Sequence, residues 1–240
     1  IKIPILKIDE QDKLINELDY IYLESDKISS DIANINQKIK ELMERAFIKY
    51  KDEFVKIGSF SEMVIRGKSP KYGNGDVQVI KSGQARGYYE FDFSEKHYLK
   101  GDIELDERKL EKGDVLINST GVGTAGRVTL FDKEGKYVVD SHITIVRVNK
   151  NRVNPDFVLY CLGTIGFKTI ESMAEGQSGQ IELGIDTIKS IRIPLPDKNV
   201  QDLIVSQINE LRNKQKDFED NLKIIENQKD EIIQRYLCEE

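Results

Sequence analysis

The chain has 240 residues, 39% of them apolar and 32% charged, which is enough apolar material for a packed core beside long solvated helices. No run approaches the ~18 apolar residues of a membrane span, and the first residues lack the basic, apolar, small-residue order of a signal peptide, so a cytoplasmic protein without membrane contact is expected. The two cysteines, Cys161 and Cys238, lie far apart and the two histidines, His97 and His142, join no Cys/His cluster, which argues against a disulfide framework and against a metal site.

A net charge of −6 counts at first against nucleic acid, because phosphate neutralisation supplies most nonspecific affinity. The charge is unevenly spread. Residues 1–48 carry 7 basic and 10 acidic side chains, residues 49–190 carry 21 and 21, and residues 191–240 carry 8 and 11, so the ends hold the acidic excess. Within the middle, residues 63–89 hold Arg66, Lys68, Lys71, Lys81 and Arg86 against Asp76 alone.

The two ends are copies of one another. A shift of 190 positions matches Ile1, Ile3, Pro4, Gln11 and Asp12 to Ile191, Ile193, Pro194, Gln201 and Asp202, and the register persists without a gap to Arg45 and Arg235. In the first copy Leu14, Leu18, Ile21, Ser25, Ile28, Ile32, Ile35, Ile39, Leu42 and Ala46 recur in steps of four and three, the heptad signature of a supercoiled helix. The second copy places Ile204, Ile208, Leu211, Gln215, Phe218, Leu222, Ile225, Lys229, Ile232 and Tyr236 in the same frame. A single helix of this kind reads as an amphipathic core helix. Two copies bracketing an unlike middle predict instead a stalk of helices of roughly 36 residues, about 55 Å long. Because IKIP repeats the IRIP that closes the middle segment, the sequence is expected to begin where another such domain ends.

Between the copies the pattern turns to short strands: RGYYEFDF, DVLINST, GRVTLF, YVVD and SHITIVRV, with turn signals at GNG and KEGK. From Asn154-Pro155 a helical pattern runs to about Met173, with a break expected at Gly163 and Gly166. These shifts divide the chain into a helix at 1–48, a mixed, β-rich domain at 49–196 and a second helix at 197–240, an α+β fold.

Several enzyme patterns fail in context. Gly121, Gly123 and Gly126 fit the dinucleotide fingerprint G-x-G-x-x-G, but RVTLFDKEGKYVVD after them reads as strand, turn, strand where a helix is required. NPDF at 154–157 approaches the amino-methyltransferase pattern [ND]-P-P-[YF], yet Asp156 replaces the second proline; capping of a helix by Asn154, with Pro155 in its first turn, is the better account. Glu107 and Lys109 sit in a charged, turn-forming run and read as solvated surface, and His142 lies in a strand with no nucleophile motif attached.

The loops, by contrast, are rich in donors. VIRGKSPKYGNG sets Arg66, Lys68 and Lys71 among glycines that let backbone and cations approach phosphates. KSGQARGYY adds Lys81, Gln84 and Arg86, and Gln and Arg are side chains that pair bidentately with adenine and guanine edges. NSTGVGTAGR supplies Ser119, Thr120, Thr124 and Arg127, and GQSGQ supplies Gln177, Ser178 and Gln180. His142 joins them as a base or phosphate contact. A rival reading is a coiled-coil scaffold whose middle domain binds protein, which the pI near 5.3 favours.

The order IRGKSP, LEKGDVLINSTGVGTAGRV, DSHITIVRV, NPDFVLYCL, AEGQSGQIELG and IRIPLPDKNVQDLIVSQI closely resembles the specificity subunit of type I restriction-modification enzymes over nearly the whole chain. The resemblance implies a noncatalytic target-recognition domain that reads one half of a split target in double-stranded DNA. It also implies that the two helices pair antiparallel, which would join along one seam the apolar heptad positions Leu14, Leu18, Ile21, Ile28, Ile32, Ile35, Ile39, Ile204, Ile208, Leu211, Phe218, Leu222, Ile225 and Ile232 already given by the spacing. Methyltransferase subunits, which use S-adenosylmethionine on adenine N6, would dock on the helices, and a restriction and motor subunit would join them. No cofactor is expected on this chain itself. A single recognition domain between two helices fits the second half of a longer subunit, a half-size subunit that homodimerises through the helices, or the tail of a fused methylase.

Overall fold

The computed structural model describes residues 6–101, 106–177 and 180–237. The long first helix, α1 (Ile8–Lys49), is followed by β1 (Phe54–Lys56), β2 (Ser61–Arg66), β3 (Gln78–Ile80), β4 (Ala85–Gly87), β5 (Glu90–Phe91) and β6 (His97–Tyr98). Next come β7 (Val115–Asn118), β8 (Val128–Leu130), β9 (Tyr137–Val139), β10 (Ile143–Val148), α2 (Pro155–Ile165) and α3 (Phe167–Glu171). Then follow β11 (Glu175–Gln177), β12 (Gln180–Glu182), α4 (Ile185–Ser190), β13 (Arg192–Pro194) and the last helix, α5 (Lys198–Leu237). The chain forms two compact units, one from Ile1–Leu42 with Ser206–Glu240 and the other from Met43–Val205.

The helical unit follows its heptads. At 42 and 40 residues, α1 and α5 exceed the expected length. None of the fourteen seam residues is exposed. Ile21, Ile225 and Ile232 form a buried cluster against which Leu14, Leu18, Ile28 and Tyr236 pack. Glu17 accepts hydrogen bonds from Arg235 at 3.1 Å and from the Tyr236 hydroxyl at 2.9 Å. Early residues of α1 therefore meet late residues of α5, as an antiparallel pair requires. Gln215 interrupts the apolar seam at 9% exposure, with its carboxamide bonded along its own helix to Arg212 and Glu219. No helix among the described residues is long and apolar enough to cross a membrane.

The mixed unit is built on a four-stranded sheet ordered β2-β10-β7-β8, antiparallel throughout. Its middle strand β10, ITIVRV, is buried at five of six positions because it has a neighbour on each side and cover on both faces. Ile143 and Ile145 enter a core with Ile80, Ala85, Leu110, Leu116, Phe131 and Val139. A second sheet, β6-β3-β9, pairs β3 with β9 in parallel. The expected strand-turn-strand at 128–140 is present, but β8 and β9 belong to different sheets and form no hairpin.

RGYYEFDF does not form one strand. It breaks into β4 and β5 at Tyr88, whose φ of +50° is the one positive value outside glycine among the described residues. The segment expected as a loop from Val64 instead carries the end of β2, which pairs with β10. The third glycine of GVGTAG leads into strand β8, so the dinucleotide geometry is absent there.

Asn154 caps α2 as expected: its side-chain oxygen accepts from the backbone N–H of Asp156 at 2.9 Å and of Phe157 at 3.4 Å, with Pro155 in the first turn. The break between α2 and α3 falls at Gly166, where φ is +90°. Asn154 is also held from α5: its backbone N–H donates to Gln201 Oε1 at 2.9 Å and its Nδ2 to Asp202 Oδ1 at 2.7 Å. Gln201 is fully buried and donates back to the carbonyls of Pro196, at 2.7 Å, and Arg152, at 3.3 Å.

Candidate nucleic-acid interface

Four strand ends share one edge. In register Arg66 lies beside Thr144, Asn118 beside Ile143, and Ile117 beside Val128. Since neighbours run antiparallel, the ends of β2 and β7 and the starts of β10 and β8 fall together. The segments 67–72, 119–127 and 140–142 therefore leave from the same place. The strands that end there are apolar, whereas the residues just past the edge are mostly polar or glycine.

Two further segments are tied to this edge by hydrogen bonds. Asn118 Nδ2 donates to the Ser82 carbonyl at 2.9 Å, and Asp140 Oδ2 accepts from the Ser82 N–H at 3.4 Å, which holds the 81–86 turn. Leu183 N–H donates to the Ser119 carbonyl at 2.7 Å and Gly121 N–H to the Ile181 carbonyl at 3.2 Å, which brings the β12 segment alongside. The tip of the glycine loop is pinned by Glu171, which accepts from Gly123 N–H at 2.5 Å and from Lys168 at 2.9 Å.

The residues singled out from sequence separate into two groups. Arg66 is directed inward: its guanidinium donates to Thr144 Oγ1 at 3.0 Å and to the Leu183 carbonyl at 2.8 Å, and pairs with Glu182 at 3.2 Å. Gln84 is 8% exposed, with its carboxamide oxygen accepting from Lys81 N–H at 3.0 Å and its nitrogen donating to the Glu95 carbonyl at 2.6 Å. Ser119 is fully buried against Thr144, hydroxyl to hydroxyl at 2.7 Å. Thr124 donates to the carbonyls of Thr120 and Gly121 within its own loop. These four hold the loops in shape.

The second group reaches solvent. Lys71 and Arg86 are exposed and Lys81, Thr120 and Arg127 half-buried. His142 is exposed, its Nδ1 2.6 Å from the Thr120 hydroxyl. Lys68 is paired with Asp106 at 2.7 Å, and that bond, with the Arg108 N–H behind it, holds the Asp106 carboxyl down at about 2. Arg86 is paired with Asp92 at 2.8 Å. Arg86 and Arg127 border a cleft of 260 Å³ that also takes in Tyr88, Leu159, Leu162 and Phe167. The backbone of Gln177 and Gln180 pairs β11 with β12, while their side chains and the whole of Ser178 lie outside the described residues, as does Cys238.

Sequence reasoning missed the residues that assemble the edge: Asn118, Asp140, Thr144 and Ser82. A lone Asn inside the apolar run VLIN was the available signal. Asp140 is 5% exposed, and burial raises its carboxyl above the ordinary range against the N–H groups of His142 and Ser82 that favour its ionised form. Among the described residues no cluster of His, Cys, Asp or Glu is placed to hold a metal ion.

Residues 50–229 match the family model described as "Type I restriction modification DNA specificity domain". The chain is 30% identical over 113 residues, 45% of its length, to the type I restriction enzyme HindI specificity subunit of Haemophilus influenzae, and covers 24% of that protein. Its fold is shared with the HsdS subunit from Thermoanaerobacter tengcongensis (TM-score 0.55, 13% identity, 98% of this chain and 60% of that one). It is shared also with the type I restriction-modification S subunit from M. genitalium (TM-score 0.58, 14% identity, 98% and 62%). The chain thus spans a quarter of the curated relative and about three fifths of the solved structures. With the family model matched over most of its length, the chain belongs to the type I restriction-modification DNA specificity domain family.

Proposed function

We propose that this chain reads one half of a bipartite target in double-stranded DNA, as the noncatalytic specificity subunit of a type I restriction-modification enzyme. Its helices dock the adenine methyltransferase subunit, which binds S-adenosylmethionine, and a restriction and motor subunit completes the assembly. The observation that carries the reading is the convergence of five segments at one sheet end, those at 67–72, 81–86, 119–127 and 140–142 bearing side-chain donors.

In this reading Arg66, Gln84, Ser119 and Thr124 position the loops, and Lys68, Lys71, Lys81, Arg86, Thr120, Arg127, His142 and the 177–180 segment face DNA. The charge pattern sets the strength of the grip. Lys71, Lys81 and Arg127 form no salt bridge among the described residues, whereas Lys68 and Arg86 must leave theirs to meet a phosphate. The three cations without a salt bridge give a salt slope of about −3, at roughly −0.9 per phosphate contacted. The isolated chain is therefore a weak binder, and its partners supply much of the affinity.

The test is selection from a random duplex pool by the chain assembled with its methyltransferase subunit, followed by salt titration. An enriched half-site is expected. Arg127→Ala should relax one position by about 1–3 kcal/mol, while Lys71→Ala should weaken all sequences alike and flatten the slope by about 1. A pool that returns unenriched, with binding indifferent to salt, would refute the reading and favour the protein-binding scaffold.

A further inference from the structure

Tyr88 is held where a tyrosine is strained. Its φ of +50° lies in the left-handed region that residues other than glycine, Asn and Asp rarely enter. The backbone is pinned there from both sides: its N–H donates to the Val128 carbonyl at 2.8 Å, and its carbonyl accepts from the Leu130 N–H at 2.6 Å. The preceding Gly87 N–H donates to Thr129 Oγ1 at 3.0 Å. Asn or Gly would meet such a turn with less strain, so what the tyrosine adds is its ring, which is 42% exposed.

Helix α2 makes room for that ring. Gly163 stands inside the helix, where glycine weakens it, and a Cβ at that position would lie 2.8 Å from the Tyr88 hydroxyl. The helix ends three residues later, at Gly166, so Gly163 accommodates the ring and does not make the break. Ring and helix together wall the cleft of 260 Å³, which buried Leu159 and Leu162 and half-buried Phe167 also line. Arg127 is half-buried beside Gly87, with its Nη1 donating to the Ala85 carbonyl at 3.4 Å, and Arg86 is exposed. The volume is below the ~300–1,000 Å³ of a site for a drug-sized ligand and suits one ring system. Apolar and aromatic walls with two guanidiniums at the border match a nucleotide, which has flat faces, acceptors along its base edge and an anionic phosphate. The larger cleft beside Arg66 has the opposite character, being lined by Glu175, Glu182 and Asp186, which repel an anion.

We propose that this cleft is a nucleotide site, in which Tyr88 stacks on the base, Arg127 donates to the base edge and Arg86 meets the phosphate in place of Asp92. The nucleotide is one unstacked from DNA, because the segments that bear the two arginines, 81–86 and 119–127, gather at the edge assigned to the duplex. That source rests on the proposed reading of DNA, whereas the nucleotide chemistry does not. Extruding a base costs pairing and stacking, least where the base is already unpaired, and stacking on an aromatic ring offsets part of that cost.

Two titrations of the full chain test it. In the first, the amide shifts of Gly87, Tyr88, Gly126 and Gly163 are followed as thymidine monophosphate is added, and then with thymidine and inorganic phosphate separately. Saturable shifts centred on the cleft are expected, with the mononucleotide binding about tenfold tighter than either part. Tyr88→Asn, which suits a positive φ and removes the ring, should weaken binding about tenfold, while Tyr88→Phe retains it. A parent chain whose cleft amides do not respond, or respond equally to phosphate alone, overturns the proposal whatever the variants do. In the second, the enriched half-site duplex carries one unpaired thymine at each position in turn. One position should bind about tenfold tighter than the paired duplex, with Tyr88→Phe keeping that ratio and Tyr88→Asn bringing it near one. Mononucleotide binding without any such gain overturns the strand source and leaves the cleft a site for free nucleotides. Recognition of the paired half-site with silent cleft amides sinks this proposal and leaves the reading of DNA standing, whereas responsive amides in a chain that enriches no duplex do the reverse.

Discussion

The helical unit and the four-stranded sheet of the mixed unit are stabilised in opposite ways. Along α1 and α5 the burial is repetitive: Ile21, Ile35, Ile39, Ile225 and Ile232 each do the same task at heptad spacing, each between 6% and 8% exposed. In the sheet Asn118 of β7, Thr144 of β10 and the two residues flanking β7, Asp114 and Ser119, are at 0% exposure, and each is hydrogen-bonded. Repeated apolar burial shares the load among like residues. A buried polar network leaves each member without a substitute, because removing one strands its partner in a low-dielectric interior.

That contrast is sharpest at Asp114. Its carboxylate takes both Nε and Nη2 of Arg147, at 2.8 and 2.7 Å, and the Glu111 N–H at 2.8 Å, with Arg147 itself 14% exposed. Asp114→Ala should cost about 3 kcal/mol in a urea or guanidinium titration, because it strips a largely buried guanidinium of its buried partner and leaves it only the exposed Glu111 carboxylate, at 2.9 Å, and the Lys109 carbonyl. A cost near 1 kcal/mol would mean that the sheet is no less forgiving than the stalk. The matching change in the stalk, Ile225→Ala, should cost about 2 kcal/mol, the low end for a buried aliphatic, since the two-helix seam leaves room to close over the gap. Equal costs at the two sites would erase the distinction.

The smallest expected effect concerns Asp140, which ties the 81–86 turn to His142. Its carboxyl is raised in the folded state by burial, so its contribution to stability is full below the ordinary carboxylate range and is lost as pH rises through the raised value. Melting followed from pH 4 upward should show the parent chain losing stability relative to Asp140→Asn. A difference between the two that is flat with pH would place Asp140 outside the network.

Much of the stalk was legible because helix periodicity is local: a residue's face is set by the count to its neighbours, and fourteen seam positions follow from that count alone. The Asn154 cap was legible for the same reason, being a matter of three adjacent residues. The sheet end was only half legible. The loops that gather there could be picked out by their donors, yet Arg66 and Gln84 look identical in sequence to solvent-facing cations and amides. Only their partners, Thr144 with the Leu183 carbonyl and Lys81 with the Glu95 carbonyl, show that they turn inward.

The sequence by itself determined the duplicated helices, their seam, the capped start of α2 and the set of donor-bearing loops, since each depends on spacing within a few turns or on self-similarity. The tertiary structure decided which strands neighbour which, that β8 and β9 part company, and that segments over one hundred residues apart, such as Arg66 and Leu183, meet at one edge. Those outcomes depend on long-range pairing, where side chains from distant segments compete for the same buried partners and no local pattern records the winner.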